Sequence, residues 1–292
     1  MELAQLIRAT LTTSVVLTVF SLGLRASTDD VLSLRRRPAL LARSLLSMHV
    51  IMPLVGLALA LAFDLHPAVK IALVALGLSP VPPMLSKRQV SAGGSARYAS
   101  GLLMAAALFA VAFVPLALEG IGLALTMPLH LSPLDVARIV SMSVIAPIFF
   151  ALLTRRFAPV FAERISKPLS RVALVLLIAA LVPVVIRSSS AMFSLIGNGT
   201  LAAFVAFVVV GLAIGHWLGG PEPGVRTVHA FCTASRHPGV ALAIASANFP
   251  EQKLVLPALL LYLLTGMLLS IPYARWARRG TAISGAAKPS TS

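Results

Sequence analysis

The feature that most constrains this chain is a succession of apolar runs, each about as long as a bilayer is thick. They fall at residues 7–25, 38–63, 67–97, 98–127, 134–154, 168–186, 191–219, 224–248 and 253–274. A helix of roughly 20 apolar residues crosses the hydrocarbon core, so the runs predict nine passes. They are continuous rather than alternating, which points to helices and not to the strands of a barrel. Only 11% of the 292 residues are charged, whereas a water-soluble domain needs roughly 25% to cover its surface. The fold class expected is therefore all-α integral membrane.

The formal charge of +15 raises nucleic-acid binding as a first thought, but its placement answers that thought. Arg35, Arg36 and Arg37 lie in one loop, and Arg155, Arg156, Arg164 and Lys167 in another. Arg226 and the terminal Arg275, Arg278, Arg279 and Lys288 complete the set. Under nine passes all of these share one face, while Asp64 to His66 and Met127 to Pro133 on the other carry little positive charge. That is the bias of an inner-membrane protein, with the N-terminus outside and the C-terminus in the cytoplasm. Small residues from Gly23 to Ser27 would also suit a cleaved signal peptide. The basic cluster follows the first segment instead of preceding it, which favours a retained span. The single cysteine, Cys232, excludes an intrachain disulfide.

Two passes are interrupted. Ser79-Pro80-Val81-Pro82-Pro83 breaks 67–97, and Arg236-His237-Pro238-Gly239 breaks 224–248. Proline removes a backbone donor and clashes with the preceding turn, so each pass divides into two half-helices. The breaks carry a short likeness, Leu85-Ser86-Lys87-Arg88 and Ala234-Ser235-Arg236-His237, and the passes run in opposite directions. Paired interrupted helices in corresponding halves mark a midplane binding site in transporters. All nine acidic residues fall at span ends or in loops, so Lys87, Arg88 and Arg236 have no carboxylate at their depth. An unpaired cation there costs at least about 2.5–3.5 kcal/mol, which predicts an aqueous cavity or a bound anion beside it.

Plainer roles stand beside these. Lys87 and Arg88 would snorkel if they sat nearer the surface. His237 would cap broken backbone or carry a coupling proton. His49, His216 and His229 read as isolated structural residues and Cys232 as a small apolar filler.

The stretch Phe20-Ser21-Leu22-Gly23-Leu24, followed by Asp29-Asp30 and Arg37-Pro38, resembles the bile acid:sodium symporter family. So do Val50-Ile51-Met52-Pro53-Leu54, the Arg155 to Pro168 segment, and Arg226-Thr227 running to Ala241-Leu242-Ala243. The resemblance implies two inverted repeats, here residues 1–127 with four helices and 128–278 with five; the short polar segment that follows, 279–292, reads as a disordered cytoplasmic tail. It also implies a panel domain, a core domain with two crossing broken helices, and transport of organic anions, commonly with sodium.

At the second break the chain departs from the family pattern. The sodium-ligating glutamate falls at Cys232, a glutamine at Arg236 and an asparagine at His237; near the first break the family's Ser-Asn pair falls at Ser86-Lys87. Sodium wants oxygen ligands, so sodium as a partner is doubtful. The function expected is a secondary transporter of small organic anions working by alternating access, as a uniporter or with protons. Ser86, Lys87, Arg88, Thr233, Ser235 and Arg236 are the expected substrate-binding residues, and His237 the proton-coupling candidate. No metal site, cofactor or nucleic-acid partner is expected; the partners are the anion and the bilayer. A sodium-coupled symporter with rebuilt ion sites is the alternative, and an anion channel or membrane sensor the alternative of another class. An enzyme is disfavoured, since the chain has no His-Glu-x-x-His run, no Gly-x-Ser-x-Gly elbow and no paired carboxylates.

Overall fold

Proline opens six helical segments: Pro38, Pro67, Pro133, Pro159, Pro223 and Pro238 each stand at a first position. The missing N–H is harmless there, because no intrahelical acceptor exists for it. The computed structural model describes residues 3–26, 29, 33–82, 86–124, 129 and 132–286, and every regular element among the described residues is helical.

In chain order, α1 is Leu3–Gly23. A 3-10 turn at Ser33–Arg36 leads into α2, which joins Pro38–Leu45, a π-helical turn at Leu46–Ile51 and Met52–Ala62. Then follow α3 (Pro67–Leu78), the short α4 (Ser86–Ser91) and α5 (Ala96–Ala124). Helix α6 joins Pro133–Val140, a π-helical turn at Ser141–Ile145 and Ala146–Phe157. The remainder is α7 (Pro159–Ser194), α8 (Thr200–Leu218), α9 (Pro223–Ala234), α10 (Pro238–Asn248) and α11 (Val255–Ala286). Each π-turn lies just ahead of a proline, Pro53 or Pro147, where a wider turn relieves the ring's clash with the preceding carbonyl.

Seven of these helices, α1, α2, α5, α6, α7, α8 and α11, are long and apolar enough to cross a membrane. The two other expected passes are the interrupted ones. Their halves have 12 and 6 residues in α3 and α4, and 12 and 11 in α9 and α10, each too short to cross alone. The chain is an all-α integral membrane protein.

Two borders differ from expectation. The loop expected at 155–167 is helical except for Ala158, at φ −139 and ψ 66. Arginine and lysine are good helix formers, so α6 and α7 run on past their apolar stretches and carry Arg155, Arg156, Arg164 and Lys167 on helix ends. Similarly, α11 continues to Ala286, past the expected start of the tail at 279. Residues 287–292 lie outside the described ones.

Helix α1 packs along α7 and α6, while α2 lies on α3 and α8 on α9. Glycine allows both of the latter contacts. A Cβ on Gly56 would stand 2.6 Å from Leu73 O, and one on Gly215 2.6 Å from Ala230 Cα. Helices α3 and α10 also pack together, which brings the two interrupted passes into contact around the buried rings of Phe204 and Phe207 and the side chains of Leu73 and Leu76. Large apolar side chains such as Val175, Ile186 and Phe193 point outward, as lipid contact requires.

Candidate functional site at the paired helix breaks

Helix α3 ends at Ser79, which is extended with ψ 146, and α9 ends at Ser235, extended with ψ 139. Extended backbone at a helix end leaves carbonyls without intrahelical donors. The two breaks answer this by bonding to each other: the His237 N–H donates to Pro80 O at 2.8 Å.

Arg236 fills the space between them and is 1% exposed. Its Nη1 donates to Ser79 O at 3.2 Å and its Nη2 to Thr233 O at 3.0 Å. One guanidinium therefore stands at the negative, carbonyl-bearing ends of both α3 and α9, where a cation is favoured by each helix dipole. Tyr262 of α11 supports the same turn by donating from Oη to Ala234 O at 2.7 Å.

His237 is the N-cap of α10. Its Nδ1 accepts from Gly239 N at 3.2 Å and Val240 N at 3.4 Å, so the ring hydrogen belongs on Nε2. His237 Nε2 and Arg236 Nε are both buried and have no hydrogen-bond partner among the described residues.

Thr233 is fully buried, with Oγ1 3.1 Å from Ser47 Oγ of α2. Ser235 is half-buried, and its N–H donates to Phe231 O at 3.0 Å. The structure thus brings Thr233, Ser235, Arg236 and His237 together. Ser86, Lys87 and Arg88 lie on α4, but their side chains are outside the described residues.

Arg236 differs from expectation in its surroundings. Instead of facing an open cavity, it is enclosed and bonded to main-chain carbonyls, because those carbonyls lost their own donors at the breaks. Cys232 is more than a filler, since it accepts from Gln89 Nε2 of α4 at 2.9 Å. His229 is not isolated either: its Nε2 is 2.8 Å from Ser47 Oγ. Ser44 and Tyr98 extend this cluster through an Oγ to Oη contact of 2.7 Å. His49, in the π-turn of α2, packs edge-on to Phe109 and Phe113, and His216 bonds Tyr273 Oη at 2.9 Å. Gln89, Ser44, Ser47, Tyr98 and Tyr262 escape a reading of the sequence, which marks Ser79 only as the start of the first break. The one signal pointing to any of them is the three-residue spacing of Ser44 and Ser47 on an otherwise apolar helix.

Among the described residues no group of three or more histidine, cysteine or acidic side chains is placed to hold a metal ion.

The sequence model of the sodium bile acid symporter family matches residues 12–195. The chain belongs to that family. No curated protein matches it. As a member of the sodium bile acid symporter family it is a multi-pass transporter of the symporter type. The match spans α1 to α7 and takes in the first break. The second break, with Cys232, Arg236 and His237, lies beyond the matched residues.

Proposed function

We propose that this protein is a secondary transporter of small organic anions that works by alternating access without sodium, as a uniporter or with protons. The observation that carries this reading is the Arg236 guanidinium on Ser79 O and Thr233 O. In transporters, unwound carbonyls and half-helix C-terminal ends are the groups that coordinate a sodium ion. Here a covalently tethered cation takes those carbonyls, so a mobile one has neither the ligands nor the electrostatic room.

The charge balance points to an anion. Arg236 Nε and His237 Nε2 are buried donors without partners among the described residues, and a carboxylate supplies acceptors as well as the missing negative charge. In this proposal Ser86, Lys87 and Arg88 of α4 complete the site with Thr233 and Ser235, and Lys87 and Arg236 are the charge partners of the substrate. The substrate is a small carboxylate of the keto- or hydroxy-acid kind. Residues 1–127 and 128–278 act as inverted repeats. A panel of α1, α6 and α7 and a core built on the crossing breaks rock against each other to open the site to each side. The protein sits in the inner membrane with its N-terminus outside, and transport rather than catalysis is its activity.

Thermal stabilisation of the purified protein across a panel of organic acids, in sodium and in potassium buffer, tests the reading. Stabilisation by one acid, equal in both buffers, is the expected result. A shift seen only with sodium would favour the second reading, a symporter whose ion sites are rebuilt from other residues.

A further inference from the structure

Ser47 of α2 has one hydroxyl hydrogen and three polar neighbours: Ser44 O at 2.9 Å, His229 Nε2 at 2.8 Å and Thr233 Oγ1 at 3.1 Å. A carbonyl can only accept, so Ser44 O takes the hydrogen and Ser47 Oγ accepts from the other two. With the Ser47 hydrogen on Ser44 O, His229 carries its hydrogen on Nε2 and Nδ1 is a bare base. That Nδ1 is buried and has no hydrogen-bond partner among the described residues. An open buried acceptor in a packed helix interface marks strain or a chemical task. His237 is the opposite case, since its Nδ1 is occupied by the α10 cap and protonating it would undo that cap.

A cavity also opens one helical turn from the buried His229. It has a volume of about 280 Å³ and is lined by Arg37, Arg43, Glu222 and Val225, among others. Val225 lies one turn before His229 on α9, and Arg43 one turn before Ser47 on α2. On the far side, Thr233 leads to the carbonyl that Arg236 holds.

Building on the transport reading, we propose that His229 Nδ1 is the binding site of the coupling proton, reached from the Arg43 cavity and linked to the crossover through Ser47 and Thr233.

The groups around the ring explain why such a proton would be coupled to an anion. From α2 come Ser47 and, at the cavity, Arg43; from α5 comes Tyr98, edge-on at 6.5 Å with its hydroxyl held by Ser44. On α9 itself stand Arg226 and Cys232, and beyond its end Arg236. Helix α8 approaches with Gly215, which has no side chain, and α4 offers Gln89, held on Cys232; the Lys87 and Arg88 side chains on α4 are outside the described residues. Tyr273 of α11 packs edge-on against the neighbouring Phe231 and is bonded to His216. None of these groups is a carboxylate, and Glu222 at the cavity is paired with Arg37 at 2.6 Å. A proton on Nδ1 therefore adds a second cation beside Arg43, and like charges disfavour it. An anion bound at the crossover, linked to the ring through Ser47 and Thr233, offsets part of that positive charge, so proton and anion each favour the binding of the other. The step makes one N–H bond at Nδ1, taken from a hydronium on the cavity side. The same bond is broken on release, and Nε2–H keeps its bond to Ser47 throughout.

Two measurements on the full-length chain in liposomes test this. The first is nitrogen NMR of labelled histidine, with the His229 signal identified by its loss in His229→Gln. At about pH 8, well above the usual imidazole range, Nε2 carries the hydrogen and Nδ1 is bare; the reverse tautomer overturns the assignment. The second uses pyruvate as the probe carboxylate. An inside-alkaline gradient of about one pH unit raises wild-type accumulation about tenfold, since one unit of proton free energy is a factor of ten. His229→Gln loses that response yet still exchanges internal for external pyruvate, whereas His216→Gln keeps the response. A gradient response in His229→Gln equal to the wild type overturns the proposal, as does wild-type uptake that ignores the gradient. A wild-type protein that moves no tested carboxylate counts against the transport reading instead, and the tautomer measurement then decides His229 by itself.

Discussion

Arg236 commits both terminal nitrogens to main-chain carbonyls, Ser79 O and Thr233 O, at a position 1% exposed. Hydrogen bonds to a charged group contribute about 1.5–3 kcal/mol each, so the residue holds the breaks together as well as charging them. Arg236→Ala is expected to insert in the membrane, lose uptake and unfold at a lower temperature. Arg236→Met keeps the bulk of the stem without the charge, and it too is expected to lose uptake. Unchanged transport kinetics in Arg236→Met would remove the guanidinium from the proposal. A second residue is testable by stability alone. Ser47→Ala leaves His229 Nε2 and Thr233 Oγ1 without the acceptor they share, a loss of about 1–3 kcal/mol for buried polar groups. Ser143, whose hydroxyl only bonds back to Ile139 O at 2.6 Å, is the matched control; Ser143→Ala should stay within about 0.5 kcal/mol, the usual range for substitutions outside special features. Thermal unfolding in detergent reads both.

Among the elements, the contact of α8 with α9 bears most directly on the site. A Cβ at Gly215 would meet Ala230 Cα at 2.6 Å, and Thr233 Oγ1 and His229 O at 2.7 Å each. Gly215→Ala must therefore push α9 away from α8, and a lower melting temperature together with impaired uptake is expected. At Gly120 of α5 nothing lies within 4 Å of the added Cβ. Gly120→Ala is therefore expected to be neutral or to stabilise by up to about 1 kcal/mol through helix propensity. Equal behaviour of the two variants would mean the α8–α9 contact is not tight. How much of this is legible in the sequence differs by element. The breaks in 67–97 and 224–248 are legible because proline and glycine punctuate apolar runs. The α6–α7 junction is not, because its arginines read as a loop while their backbones favour helix. The π-turns of α2 and α6 have no signature beyond a nearby proline. Arg236 is legible as an unpaired buried cation, but its partners are carbonyls, which every residue possesses and no sequence distinguishes. The cluster at Ser47 is hidden for another reason: its members lie 182 and 186 positions apart, and each looks like a lone polar residue on an apolar face.

At the scale of the whole molecule, contacts sort the loops into two ends. Arg37 pairs with Glu222 at 2.6 Å, and Ser95 N–H donates to Gly224 O at 3.0 Å. Arg155 donates to Leu24 O at 3.1 Å, and Arg25 Nε to Ser166 Oγ at 3.3 Å. His216, near the end of α8, is bonded to Tyr273 near the end of α11. These contacts gather the basic loops and the final helix at one end. Phe63 and Leu65 border Gly199, which places the sparsely charged turns at the other end together. Lysine and arginine are retained on the cytoplasmic side of a bilayer, so the basic end is expected to face the cytoplasm and Asn198 the outside. The lone Cys232 is buried, and Cys232→Ser gives a clean background for single-cysteine labelling. In intact cells an impermeant maleimide should label Asn198→Cys at once and Arg156→Cys only after permeabilisation. The reverse pattern would break the charge rule for this chain. It would also turn the Arg37–Arg43 cavity outward, so that the His229 proton site would be reached in this conformation from outside the cell and not from the cytoplasm.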